Sequence, residues 1–167
     1  MDLYQYLDLG VAASYLQNSE AARLMRRSPY LYPFVNFGHV VGIALLFGAI
    51  LPLDLRLMGF WKSVPLYDLK RVLVPVSVLG VLVAVATGVL MISVRANEYL
   101  AMPVMQLKLS LIIFAVLNAL ALRLVPAWRL LAQVDSRGTI SRFRWAGILS
   151  AALWLSVIGC GRAIGYL

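Results

Sequence analysis

The sequence predicts an all-α protein: an integral membrane four-helix bundle preceded by an amphipathic helix that lies in the interface. Three observations carry this reading. Of the 167 residues, 62% are hydrophobic and only 13% are charged, about half the charged share of a soluble domain. The apolar residues gather into four stretches, each near the roughly 20 residues that cross a bilayer core. The charges fall mostly between these stretches. No remaining segment is large enough for a second core, so residues 1–167 read as a single membrane domain.

Residues 2–27 carry Leu3, Leu7, Val11, Tyr15 and Leu16 at spacings of three to four, with Asp2, Asp8, Glu20, Arg23, Arg26 and Arg27 between or beyond them. Acids early and bases late agree with a helix macrodipole, and the apolar stripe suits a helix lying along the interface. Ser28-Pro29 ends it. The spans are expected near 31–55, 72–94, 103–125 and 144–166. Pro52 and Pro75 fall near span ends, where a lost backbone hydrogen bond is least expensive. Trp61 and Tyr67 anchor the first connection at the interface, and Arg137-Gly138 marks a turn in the third.

The net charge of +8 does not point to nucleic acid, because the basic residues flank apolar spans instead of forming a basic stripe on a polar surface. That placement reads as topology. Arg56, Lys62, Lys70, Arg71, Arg123, Arg129, Arg137, Arg142 and Arg144 lie on one side; Arg23, Arg26, Arg27, Arg95 and Arg162 lie on the other. The larger set is cytoplasmic by the positive-inside rule, which puts both termini in the periplasm of a bacterial inner membrane. Met1-Asp2-Leu3-Tyr4 lacks the basic start of a secretory signal, so the first span is expected to direct insertion. Cys160 is the sole cysteine and excludes an intramolecular disulfide.

The sole histidine, His39, sits within an uncharged stretch from Ser28 to Leu53. An ionisable group at membrane depth is costly and marks a candidate site. At about 1.5 Å per residue, His39 lies roughly 12 Å, Lys108 roughly 8 Å and Arg162 roughly 6 Å from the outer ends of their spans. Asn36, Thr87, Met91, Met105 and Cys160 share that half of the bundle. Glu98 is the one acid close to that level. Three cations against one carboxylate suggest that an anionic ligand completes the pocket. The simpler readings are snorkelling for Lys108 and Arg162 and interhelical hydrogen bonding for His39. Gly38 and Gly42 suit a close approach by another helix or by a flat cofactor.

Three chemistries compete. Haem b takes an axial histidine, and its propionates favour Lys108 and Arg162; a sixth ligand would come from Met91, Met105 or the histidine of a second copy in a homodimer. Copper(I) prefers sulfur and imidazole, which Met91, Met102, Met105, Cys160 and His39 could supply, although Lys108 and Arg162 would repel a bare cation. The third reading is an accessory subunit of a larger membrane complex, packed through Gly159, Gly161, Ala163 and Gly165. No nucleophile elbow, His-Glu-x-x-His motif or phosphate loop is present, so catalysis by this chain has no sequence signature. Asp54 and Arg56 at the inner end read as an interfacial ion pair.

The runs Gly38-His39-Val40-Val41-Gly42, Leu53-Asp54-Leu55-Arg56-Leu57-Met58-Gly59, Ala86-Thr87-Gly88, Tyr99-Leu100 before Lys108, Asn118 and Gly161-Arg162-Ala163-Ile164-Gly165-Tyr166 resemble an uncharacterised bacterial family of small four-span membrane proteins. That resemblance covers nearly the whole chain and implies the fold, with no activity attached. A histidine on span one, Thr-Gly on span two and a lysine early in span three look more distantly like the copper-resistance D proteins and the membrane haem-containing protoporphyrinogen oxidases. By that likeness His39 would be the metal or haem ligand and Lys108 its partner. The expectation is a pocket for haem b or another anionic redox cofactor in membrane electron transfer.

Overall fold

The computed structural model describes residues 9–129 and 141–166, all of them in helices or short connections. Two short helices come first, α1 (Leu9–Gln17) and α2 (Glu20–Arg27). The single helix expected over 2–27 is therefore broken, and its first seven residues lie outside the described region. The cause is local. Ser19 adopts extended φ/ψ and its Oγ accepts the Ala22 N–H at 3.2 Å, capping α2, a role serine takes because its short side chain competes with helical hydrogen bonds. Within α2 the charge order is as expected, with Glu20 in the first turn and Arg26 and Arg27 in the last.

Four long helices follow: α3 (Leu31–Met58), α4 (Leu66–Ser93), α6 (Pro103–Leu124) and α8 (Ser141–Ile164), with short α5 (Ala96–Ala101) before α6 and α7 (Pro126–Arg129) after it. All four long helices have the length and apolar composition to cross a membrane. Their outward faces are apolar too, with Phe34, Phe37, Leu82, Val85, Phe114, Leu117 and Leu155 exposed. This is the architecture of a multi-pass membrane protein. The expected second span starts too late, because α4 already begins at Leu66 and carries Asp68, Lys70 and Arg71 in its first turns. Charges at a helix end do not stop the helix; hydropathy detects only the part that crosses hydrocarbon. Pro52 and Pro75 lie inside α3 and α4. Gly59, at φ 106°, ends α3, and the Phe60 N–H returns to the Leu55 carbonyl at 3.1 Å, a left-handed cap that glycine adopts without steric penalty.

The long helices pack in the order α4, α3, α8, α6, while the backbones of α4 and α6 scarcely approach one another. The bundle is thus a four-membered row folded round a core with one open edge. Its closest contact joins α3 to α4. A Cβ on Gly80 would stand 2.4 Å from the Leu46 nitrogen, and one on Gly42 would stand 2.6 Å from the Ala84 nitrogen. Small residues permit such backbone contact in a membrane, where dispersion and not hydrophobic exclusion holds helices together. Gly147 of α8 plays the same part against the Asp54 carbonyl, where an added Cβ would stand at 2.8 Å.

Two apolar clusters fill the interior. Leu46, Ala115, Trp154 and Val157 form one, and Leu53, Leu57, Leu66, Trp128 and Phe143 form the other. Of the small residues expected to pair α8 with a partner, Gly159 faces open space and Gly161 meets Lys108. The short helices α1, α2 and α5 close the side of the bundle where α3 begins and α8 ends, here called the terminal side. The Asn97 N–H donates to Gln17 Oε1 at 3.0 Å and Arg26 donates to the Val94 carbonyl at 3.3 Å, so α1 and α2 are tied to the connection between α4 and α6.

Gly80→Ala is expected to lower the stability of the purified protein by about 1–3 kcal/mol, the usual cost of overpacking. Gly48→Ala, at a glycine with nothing within 4 Å, should leave it unchanged. Thermal unfolding of both variants in one detergent checks this, and equal melting temperatures would contradict it.

Candidate functional site

His39 lies two turns into α3, against the small-residue face of α4. Gly88 makes room for the ring: a Cβ there would stand 3.1 Å from His39 Cε1. Two oxygens of α4 hold Nδ1, the Ala84 carbonyl at 2.9 Å and Thr87 Oγ1 at 3.1 Å. The carbonyl can only accept. The Thr87 hydroxyl directs its single proton to the Val83 carbonyl at 2.6 Å, as threonines in helices do, and so it also accepts from the ring. Both partners therefore require the proton on Nδ1. Nε2 keeps its lone pair and has no hydrogen-bond partner among the described residues. A metal-binding imidazole commonly has this arrangement, with one nitrogen anchored to a carbonyl and the other left as the ligand.

Lys108 of α6 is half-buried and lies within electrostatic reach of His39 and Cys160. Its Nζ abuts Gly161, where an added Cβ would stand 3.2 Å away. No carboxylate pairs with it among the described residues. Glu98 is exposed and pairs with Arg95 at 3.3 Å, so the acid nearest in sequence is engaged at the surface. Met91 is half-buried on α4, and Met105 is buried on α6. Asn36 is exposed. Arg162 is exposed as well: its guanidinium lies 4.6 Å over the Tyr166 ring and donates to the Tyr166 hydroxyl.

The structure thus sets Thr87 and Gly88 against His39 and Gly161 against Lys108, with Lys108 in electrostatic reach of His39 and Cys160, and it directs Arg162 towards Tyr166. Among the described residues no three His, Cys, Asp or Glu side chains gather as a metal cage. A metal held here would rest on His39 and on donors of its own.

A second polar centre lies at the opposite, loop side. Asp54 and Arg56 do not form the interfacial ion pair that the sequence suggests. Residues two apart on a helix point to different sides. Arg56 Nε donates to the Val64 carbonyl at 2.7 Å, whereas Asp54 is only 3% exposed and lines a partly open cavity of about 70 Å³. Ser77, Asn118 and Ser150 line the same cavity. The signal was available: each is a lone polar residue near the loop-side end of its span, so the depth count that grouped His39 with Lys108 would have grouped these four.

Searches against protein-family models, curated proteins and solved structures find no match to this chain, so a functional reading stands on the geometry alone.

Because His39 is the sole histidine, its tautomer is directly observable. ¹⁵N NMR of histidine-labelled protein at neutral pH should show a protonated Nδ1 and a pyridine-like Nε2. The opposite tautomer would contradict the arrangement.

Proposed function

We propose that this chain holds an anionic redox cofactor, haem b as the leading case, in the terminal-side half of the bundle, and serves membrane electron transfer. The observation that carries the reading is the anchored imidazole: Nδ1 is fixed by Ala84 and Thr87, leaving Nε2 as an unused ligand. Lys108, half-buried without a carboxylate, supports it as the counter-charge for an acidic group on the ligand. These two residue types fit haem, whose iron takes imidazole and whose propionates pair with cations. When bound, haem would supply one-electron chemistry. The chain's own residues would ligate, orient and neutralise. His39 contributes the lone pair, Thr87 and Ala84 keep the ring turned, and Gly88 gives the ring its space. The open edge between α4 and α6 offers a lateral way in from the bilayer. With no second histidine in the chain, a sixth ligand would come from Met91, from Met105 or from a second copy.

Lys108 weighs against copper, since an ammonium beside His39 repels a bare cation. The excess of Lys and Arg in the connections on the loop side supports a bacterial inner-membrane location with both termini outside.

Visible spectra of protein purified from haem-replete cells test the proposal. A Soret band is expected in the wild type, lost in His39→Ala and weakened in Lys108→Met by roughly tenfold in haem affinity, the scale of a supporting-residue loss. A colourless preparation without iron overturns it. Bound copper in that preparation would assign the site to copper handling, and a stable partner with neither metal would assign the chain to an accessory role.

A further inference from the structure

The Asp54 cavity is independent of the cofactor reading, and its lining has a definite chemistry. Asp54 reaches it from α3, Ser77 from α4, Asn118 from α6 and Ser150 from α8, so each of the four long helices contributes at least one polar side chain. Asp54 Oδ2 is fully buried and has no hydrogen-bond partner among the described residues, although a buried carboxylate oxygen normally finds one. Ser77 and Asn118 each donate to a backbone carbonyl. The Ser77 hydroxyl donates to the Val74 carbonyl at 2.9 Å, and the Asn118 amide nitrogen donates to the Ala146 carbonyl at 3.1 Å. Ser77 Oγ and Asn118 Oδ1 thereby keep lone pairs available to the cavity. Ser150 lies beside the Asp54 carboxyl.

Among the described residues no basic group pairs with Asp54. Arg56 is turned to the Val64 carbonyl. Lys70 donates to the Trp128 carbonyl at 2.9 Å and lies 4.8 Å over the Trp128 ring. Arg123 is the one cation among the described lining residues, and it is exposed. The rest of the wall, including Leu53, Leu57 and Leu122, is apolar.

We propose that this cavity binds a monovalent alkali cation, Na⁺ in the first instance. Its ligands are Asp54 Oδ2, Asn118 Oδ1 and Ser77 Oγ. Hard oxygen donors suit a hard cation, and a single carboxylate balances a single charge; Ca²⁺ sites draw on more oxygen ligands and usually more than one carboxylate. A volume near 70 Å³ has room for such an ion together with water. Because one ligand comes from each of α3, α4 and α6, with Ser150 of α8 behind Asp54, the ion would hold the open row of helices together at the loop side.

Thermal unfolding of the full chain in detergent, with NaCl replacing choline chloride at constant ionic strength, tests this together with equilibrium binding of radioactive Na⁺. The expected result is a saturable rise in melting temperature of a few degrees and one bound ion per chain, both lost in Asp54→Asn. Ser77→Ala, which keeps the carboxylate, should shift half-saturation to several-fold higher Na⁺. Identical melting curves in sodium and choline with no bound Na⁺ overturn the proposal. A melting temperature that follows pH but not Na⁺ would also overturn it and would assign the cavity to a proton.

Discussion

The backbone contact between α3 and α4 is the constraint on which the rest of the molecule depends. Gly42 meets the Ala84 backbone, and Gly80 meets that of Leu46. A side chain at either glycine would separate the helices by a fraction of an ångström to more than one, and hydrogen bonds tolerate little of that. Ala84 links the packing to the chemistry: its backbone fills the space over Gly42, and its carbonyl holds His39 Nδ1 at 2.9 Å. Helix association here creates the acceptor that fixes the imidazole. A histidine that merely bridged two helices could use either nitrogen, whereas this contact commits one and releases the other.

The open edge between α4 and α6 gives the bundle its second property. Interior polar groups are costly in a membrane unless they are paired, hydrated or bound to something. This chain places such groups at two levels of one row of helices, His39 and Lys108 at the terminal side and Asp54 with its neighbours at the loop side. Fifteen residues of α3 separate His39 from Asp54, or about 22 Å at 1.5 Å per residue. The apolar cluster of Leu46, Ala115, Trp154 and Val157 includes Leu46, which lies between them on α3. Two centres of different chemistry thus share one helix without sharing a cavity: an imidazole in electrostatic reach of an ammonium at one end, a carboxylate among hydroxyl and amide oxygens at the other.

Hydropathy made the four spans legible, because a helix that crosses hydrocarbon must be apolar along its middle whatever its neighbours are. It misplaced the start of α4, since Asp68, Lys70 and Arg71 look like loop residues and are in fact the wet end of a helix. The break at Asn18-Ser19 was written in residue types that favour caps, and the apolar stripe running through it concealed the signal. Depth along a span was readable for His39, Thr87 and Lys108. Direction around the helix was not: Arg162 shares their level and turns outward to Tyr166, because depth carries no azimuth. Asp54 was hidden by the basic residue two positions on, where opposite charges close in sequence imitate a pair that helical geometry forbids.

The dependence of the site on the helix contact is tested most directly by the ¹⁵N spectrum of His39 in a Gly42→Ala variant, recorded in the detergent used for the wild type. The added methyl would stand 2.6 Å from the Ala84 nitrogen, so it must displace the Ala84 backbone and with it the carbonyl that fixes the ring. The account predicts that the single tautomer gives way to a mixture, with protonated Nε2 newly populated. An unchanged spectrum in a variant that still folds would contradict it.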